Sequence, residues 1–192
     1  TGEPQAFCVV PGPGFLNTTA ALSTAYGMNA PVLALVGQIP TGAQGKGHGF
    51  LHEIPDQFGI LERLTKSSHR VTGGGDAVGH VVDAFTSLVS GRPQPVGLEI
   101  AVNLWTQDVT GTLPDLAPPG RPAPAVDTDA IDRAAKLIAS ARAPMIVVGG
   151  GAQGDSGLVR QLAAITGAPV VAFRTGHGVM PSDDPLSIGM PV

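Results

Sequence analysis

Short runs of apolar residues alternate along the chain with segments whose apolar residues recur at helical spacing. The run over residues 32–36 is continuous and apolar, which is typical of a strand buried on both faces. The segment over 75–90 carries Val78, Val81 and Leu88 on one face of a predicted helix. Alternation of this kind predicts an α/β fold around a mostly parallel sheet.

The predicted elements form two sets on either side of a proline-rich segment. The first set has strands over 6–10, 32–36, 68–72 and 96–102, and helices over 15–27, 55–64 and 75–90. The second set has a helix capped by Asp127, a strand over 145–148, a helix over 156–166 and a strand over 169–173. Residues 109–125 contain five prolines without periodicity and predict a stiff linker. We therefore expect one domain over 1–108 and a second, partial domain over 126–192.

Composition and charge narrow the classes of function. Charged residues make up 14% of the 192 positions. The typical share is about 25%, so we expect further chain or another subunit to cover part of the surface. The net charge is −4 and basic residues are scattered, so neither nucleic acid nor a membrane is an expected partner. No apolar run approaches the roughly 18 residues of a membrane helix, and the first residues lack signal-peptide character. A cytoplasmic location is expected.

Two turns rich in glycine and proline follow neighbouring predicted strands. Residues 11–14 are Pro-Gly-Pro-Gly, and residues 37–40 are Gly-Gln-Ile-Pro. Turns with little side-chain bulk let a ligand approach the backbone, and ligands of open α/β sheets bind at the carboxyl ends of the strands. We therefore expect both turns on one edge of the sheet, at a site that holds a cofactor.

The segment 48–57 gathers histidines, carboxylates and a glutamine. Pro55 interrupts the helical spacing that a metal site would use, so no metal ligand is predicted in this chain. The two remaining interpretations are polar groups that reach into a cleft, where an imidazole can move protons, and an ordinary surface loop. The single cysteine, Cys8, lies in an apolar strand and is expected to be a buried small hydrophobe.

Residues 149–154 match the pattern G-x-G-x-x-G between a predicted strand and a predicted helix. In a NAD-binding fold an acidic residue follows about 20 positions later to hold the ribose. Here the next strand ends at Phe173 and Arg174, which argues against NAD. Nucleotide binding and a purely structural turn stay equally open at this point.

Several motifs succeed one another in a fixed order along nearly the whole chain. They are residues 12–17 (GPGFLN), 25–26, 31–32, 37–40 (GQIP), 51–53 (LHE), 64–66, 91–93, 95–96, 144–151, 167–170, 176–178 and 185–186. Their order and spacing resemble thiamine-diphosphate enzymes of the acetolactate synthase group. The resemblance implies an α/β chain in which 1–108 is the later part of a parallel-sheet, pyrimidine-binding domain. Residues 126–192 would then open a partial Rossmann-like α/β central domain.

The resemblance also implies roles for individual residues. Three would lie beside the aminopyrimidine ring of thiamine diphosphate: Pro13, Gly14 and Asn17. Four would face the substrate channel: Gln38, Leu51, Glu53 and Lys66. His52 stands where family members often carry glutamine, which makes it a candidate proton donor. Three are candidates for contacting FAD, as in flavin-bearing members: Arg92, Gly150 and Gly151, with a structural ion pair as the alternative for Arg92.

The implied reaction is decarboxylation of a small-molecule 2-oxo acid, with or without carboligation, with thiamine diphosphate and Mg²⁺. The catalytic glutamate of the family would precede this chain and the Mg²⁺ ligands would follow it, so we expect this chain to be inactive alone. Because the family's site forms between two subunits, a homodimer or homotetramer of the complete protein is expected. The alternatives are a non-catalytic nucleotide- or FAD-binding module and an NADP-dependent reductase.

Overall fold

The computed structural model describes residues 3–109 and 125–190. The chain divides into two compact units, Thr1–Ala123 and Pro124–Val192, each with a parallel sheet of its own. The predicted linker at 109–125 lies outside the described residues except for its two end positions. Within the described ranges, no helix is long and apolar enough to cross a membrane.

The first unit is a four-stranded parallel sheet with helices between the strands. Its strands are β1 (Gln5–Val9), β2 (Val32–Gln38), β3 (Ser67–Val71) and β4 (Val96–Ala101), in the order β1-β2-β4-β3. Its helices are α1 (Pro13–Leu16), α2 (Thr19–Gly27), α3 (Gln57–Leu64) and α4 (Ala77–Val89), and a short 3-10 helix, Val102–Leu104, follows β4. The predicted α/β class with a parallel sheet is confirmed.

Two apolar clusters hold this sheet between its helices. One contains Ala84 and Leu88 of α4 with Val71 and Leu98 of the sheet. The other contains Phe15 and Leu22 of α1 and α2, Leu61 of α3, and Ala34 and Val36 of β2. Burial of such side chains contributes about 1.5–3 kcal/mol each, so both faces of the central strand β2 are fixed by packing.

The single helix predicted over 15–27 is wrong, because the structure has two helices separated at Asn17 and Thr18. Phe15 is fully buried and anchors α1. The Thr18 hydroxyl donates to the Phe15 carbonyl over 2.7 Å, a local side-chain bond that competes with helix propagation. The chain therefore turns after Leu16 and begins α2 at Thr19.

Cys8 is exposed, so its predicted burial is wrong. The reason is its place in β1, which is an edge strand of the sheet. Phe7 and Val9 alternate with Cys8 along the strand and pack against the cluster of α1 and α2. Cys8 points to the other face, where it lines a cavity that is described below.

The second unit has a three-stranded parallel sheet in the order β5-β6-β7. Its strands are β5 (Ile146–Val148), β6 (Val170–Ala172) and β7 (Ser187–Gly189), and its helices are α5 (Thr128–Ser140) and α6 (Ser156–Thr166). Asp127 caps α5, since its Oδ1 accepts the Ala130 N–H over 2.9 Å. Strand β7 escaped prediction because its three residues form no apolar run.

Candidate functional site

The two glycine- and proline-containing turns lie on one edge of the first sheet. Strands β1 and β2 are parallel neighbours, with Val9 opposite Val36, so both chains leave the sheet at the same end. This confirms the prediction that the turns share an edge, and residues 11–14 together with 37–40 are called the rim. Beside the rim opens a cavity of about 470 Å³.

The walls of this cavity are mostly apolar. They consist of Cys8, Val9, Val10, Pro11, Gly37, Gln38, Ile39, Pro40, Phe50, Leu51, His52, Val102 and Trp105. Ligand sites commonly have such a lining, with a few polar groups that fix orientation. Among the lining residues Cys8, Gln38, His52 and Trp105 carry polar side-chain atoms, so the cavity suits a flat, largely apolar ring or a small carbonyl compound.

Gly12 allows the loop that carries His52 to lie directly against the rim. Its φ is +58°, in the left-handed region that favours glycine, and a Cβ there would overlap the carbonyl oxygen of His52. His52 itself has φ +72°. The Gly12 N–H donates to Gln57 Oε1 over 2.7 Å, and this hydrogen bond fixes the turn to helix α3.

A buried polar network lies beneath the rim, centred on Glu99 of β4. Glu99 is fully buried, and its Oε2 accepts from Gln38 Nε2 at 3.0 Å and from Gln57 Nε2 at 2.9 Å. Its Oε1 accepts from Arg70 Nε at 2.7 Å. Gln57 Nε2 also donates to the Gly37 carbonyl at 2.9 Å. The network therefore joins both turns of the rim to β3, β4 and α3.

The nitrogen and the oxygen of the Gln38 side-chain amide both form hydrogen bonds within the chain. Its Nε2 donates to Glu99, and its Oε1 accepts the Ile39 N–H over 2.8 Å. The side chain is only 8% exposed. Gln38 thus borders the cavity with its amide directed inward, which makes it a structural part of the rim.

Glu53 stabilises the loop that precedes it by accepting hydrogen bonds from its backbone, whereas Leu51 is largely exposed to solvent. Glu53 accepts the N–H of Phe50 at 2.9 Å and of Gly47 at 3.2 Å. It lines a smaller cavity of about 310 Å³ together with Gln38 and Arg70. Leu51 is 82% exposed and forms part of the wall beside His52.

The three residues predicted to contact the aminopyrimidine lie outside the 470 Å³ cavity. Pro13 and Asn17 are exposed at the two ends of α1, and Gly14 packs so closely that a Cβ would overlap Val10. Asn17 borders a separate apolar groove with Phe7 of β1 and several residues of α2. The structure therefore separates these residues from His52, although all of them lie close to the same rim along the chain.

Lys66 and Arg92 lie near the amino ends of the strands of the first sheet, away from the rim. Lys66 directly precedes β3, and its ammonium donates to the carbonyls of Ser87, Ser90 and Arg92 at 2.6–3.1 Å, where α4 ends. Arg92 Nε donates to Asn29 Oδ1 at 2.7 Å in place of the ion pair considered above. Lys66, which the resemblance assigns to the substrate channel, lies at the amino end of β3, which faces away from the rim, and its role in the complete enzyme stays a prediction.

The glycine-rich turn of the second unit is occupied by its own chain. Residues Gly150–Asp155 form a short 3-10 helix before α6. The Gly150 N–H donates to Thr175 Oγ1 at 3.1 Å, and Gln153 Nε2 donates to the carbonyls of Thr175 and His177. A Cβ at Gly151 would meet no atom within 4 Å. Gly151 is therefore the open position of this turn, whereas the Gly150 N–H already has a partner.

Sequence reasoning missed Glu99 and Arg70, which belong to the network that positions the rim, and Trp105, which lines the cavity. It noted Gln57 only as the glutamine of the polar segment 48–57. A signal for Glu99 existed, since it is a carboxylate within the otherwise apolar strand β4, and buried carboxylates are almost always paired. Its partners could not be read from the sequence, because they come from β2, β3 and α3.

The comparisons with known proteins agree over both units. Residues 1–60 match the family described as thiamine pyrophosphate enzyme, N-terminal TPP binding domain, and residues 131–192 match thiamine pyrophosphate enzyme, central domain. A probable 2-ketoarginine decarboxylase of Pseudomonas aeruginosa is 30% identical over 98% of this chain and 34% of its own length. An acetolactate synthase of Arthrospira platensis is 34% identical over 99% of this chain and 33% of its length.

The large subunit of acetolactate synthase isozyme 1 of Escherichia coli is 31% identical over 98% of this chain and 33% of its own length. The chain thus spans about a third of the length of these relatives. Both of its described units match the same enzyme family, in the order that the sequence resemblance implied. The chain belongs to the thiamine-pyrophosphate-dependent enzymes, in the group that resembles acetolactate synthases.

Proposed function

We propose that the enzyme containing this chain decarboxylates a 2-oxo acid with thiamine diphosphate, with or without joining the product to a second carbonyl compound. The observation that supports this most directly is the rim, where two neighbouring parallel strands end in turns beside an apolar cavity of about 470 Å³. Cavities of roughly 300–1,000 Å³ suit small ligands and parts of cofactors. This chain contributes one part of the site, and the complete protein carries the activity.

The residues of the rim fit the pyrimidine end of the cofactor. Pro13 of the rim and Asn17, at the two ends of α1, are exposed and available for contact, and Gly14 lies between them in the chain. Bound thiamine diphosphate would supply an electron sink for cleavage of the bond between the carboxylate and the carbonyl carbon. The chain's own part is to orient that cofactor and, through the apolar walls of the cavity, to exclude water.

His52 is the residue that we propose to move a proton. His52 lines the cavity, and its backbone is held in a left-handed conformation against Gly12. A neutral imidazole accepts a proton at one nitrogen and donates one from the other, which suits general acid–base catalysis near neutral pH. Leu51, next to it, forms the substrate-facing wall.

We further propose Mg²⁺ bound by parts of the protein beyond this chain, a homodimer or homotetramer, and a cytoplasmic location.

FAD, contacted by Arg92, Gly150 and Gly151, is a separate proposal. It is supported by the open space at Gly151 and opposed by the hydrogen bonds that Gly150 and Arg92 already make within the chain. Flavin absorbance near 450 nm in the purified complete protein would establish FAD binding, and absence of this absorbance would contradict the FAD proposal.

The test is a turnover assay of the complete enzyme on pyruvate, branched 2-oxo acids and a cationic 2-oxo acid, with thiamine diphosphate and Mg²⁺. His52→Ala is compared with His48→Ala, an exposed histidine of the same loop whose ring lies 6.5 Å from that of Phe50. We expect His52→Ala to lower kcat by about 10²-fold or more, while His48→Ala stays near the wild-type value.

Two outcomes would contradict separate parts of the proposal. If no 2-oxo acid is turned over in the presence of thiamine diphosphate, the proposed reaction is wrong. If turnover is normal and the two histidine variants behave alike, the reaction stands and the role of His52 is wrong.

A further inference from the structure

Three metal-ligating side chains meet between strand β3 and helix α4, away from the cavity beside the rim. They are His69 of β3 and His80 and Asp83 of α4, and one ligand atom of each lies within 4.8 Å of the others. His80 and Asp83 are three residues apart, so they project from the same face of the helix. The rings of His69 and His80 are 5.5 Å apart, which shows that His69 points toward that face.

His69 has a buried polar atom without a partner. Its Nε2 makes no hydrogen bond in the described chain and is shielded from solvent. Buried polar atoms in folded proteins are nearly always satisfied, and each unsatisfied one needs an explanation. At the same interface Ser67 and Ser87 do pair, with 2.8 Å between their hydroxyls. The unpaired nitrogen is therefore a local feature of the histidine cluster, and a cation would satisfy it.

The surrounding charges favour a cation. Asp76 Oδ2 lies 3.7 Å from His80 Nε2. The nearest cationic side chain on β3, Arg70, alternates to the other face of the sheet and pairs with Glu99. Two carboxylates, Asp76 and Asp83, thus accompany the two imidazoles.

We propose that His69, His80 and Asp83 bind a divalent transition metal ion, with Zn²⁺ the best match. Two imidazoles and a carboxylate are ligands that Zn²⁺ accepts, and a water can take the fourth position. Ligand atoms of a tetrahedral site with bonds of about 2.1 Å lie about 3.4 Å apart, so side-chain atoms up to 4.8 Å apart must approach one another by up to about 1.4 Å. Asp83 is exposed and free to rotate. The bound ion would join the edge strand β3 to α4.

The experiment measures metal binding by the intact protein after saturation with Mg²⁺ and thiamine diphosphate, so that oxygen-rich sites are filled with a hard cation. Co²⁺ is titrated by its visible absorption, and Zn²⁺ by competition against it. The variants are His69→Ala and Asp83→Asn, and the matched control is His177→Ala, a histidine of the second unit. Asp83→Asn changes an exposed residue, so it keeps the test valid if His69→Ala does not fold.

We expect one Co²⁺ per chain, displaced by Zn²⁺, in the wild-type protein and the His177→Ala control. Affinity should fall by more than about tenfold in both cluster variants, since even outer partners of metal sites account for 10–100-fold. At 100 times its Kd, Zn²⁺ should raise the Tm of the wild-type protein by about 5 °C or more. Absence of this binding, or binding that Asp83→Asn leaves unchanged, would overturn the proposal.

Discussion

Replacing Glu99 by glutamine should destabilise the first unit strongly although the side chain keeps its size. Glu99 is fully buried and accepts three hydrogen bonds, one of them from the guanidinium of Arg70 at 2.7 Å. A glutamine keeps one oxygen and places an NH₂ group where the carboxylate accepted. That group faces either the amide donors of Gln38 and Gln57 or the guanidinium, so at least one donor loses its partner.

The magnitude follows from the burial of the partners. Removing one member of a buried ion pair costs about 3–5 kcal/mol, but the Arg70 side chain is 43% exposed and water can replace part of the lost contact. We therefore expect Glu99→Gln to lower the free energy of unfolding by about 2–3 kcal/mol. For a protein of about 150–250 residues that corresponds to a Tm lower by roughly 4–12 °C.

The assay is thermal unfolding of the intact protein, together with hydrogen exchange of peptides that cover β2 and β4. Glu62→Gln is the matched control, because Glu62 is an exposed carboxylate on α3 of the same unit. The control should change stability by less than about 0.5 kcal/mol. If Glu99→Gln and Glu62→Gln unfold alike and exchange in β2 is unchanged, the network does not stabilise the rim and this reasoning is refuted.

Two further substitutions test other parts of the geometry. Gly12→Ala should cost about 1–3 kcal/mol of stability, because φ at Gly12 is positive and a Cβ would overlap the His52 carbonyl. Gly42→Ala is the control, since its added Cβ would have no atom within 4 Å. Equal Tm values for the two variants would contradict this prediction. Lys66→Met should lower the free energy of unfolding by about 1–2 kcal/mol, because three carbonyls lose their hydrogen-bond donor. It should leave KM for the 2-oxo acid unchanged. A selective rise in KM would instead support a place for Lys66 in the substrate channel.

The parts of the fold that depend on neighbours along the chain could be predicted from the sequence. Apolar runs marked β2 and β4, and the turns at 11–14 and 37–40 marked the ends of adjacent parallel strands. These signals are local, since strand burial and turn formation depend on a few consecutive residues. The position of the rim followed from them without knowledge of the whole sheet.

What could not be predicted depends on strand order. Strand β4 inserts between β2 and β3, which places Glu99 opposite Val36 on one side and Arg70 on the other. No spacing in the sequence shows this pairing. The exposure of Cys8 likewise follows from β1 being an edge strand, and the position of Lys66 follows from the direction of β3. The error at Cys8 arose because an apolar context was interpreted without the sheet topology.

The network beneath the rim explains how turns rich in glycine and proline keep their geometry. Glycine and proline offer few contacts of their own, so these turns are held by side chains from other elements and by Gln38. One side chain, Gln57, does this for both, accepting from the Gly12 N–H and donating to the Gly37 carbonyl, while Glu99 fixes Gln57 in turn. Leu51 and His52 belong to a loop whose His52 backbone lies against Gly12, and the hydrogen bonds described for the network include neither residue. The rim and residues 51 and 52 are therefore held by different contacts, so substitutions at 51 and 52 should leave the rim in place.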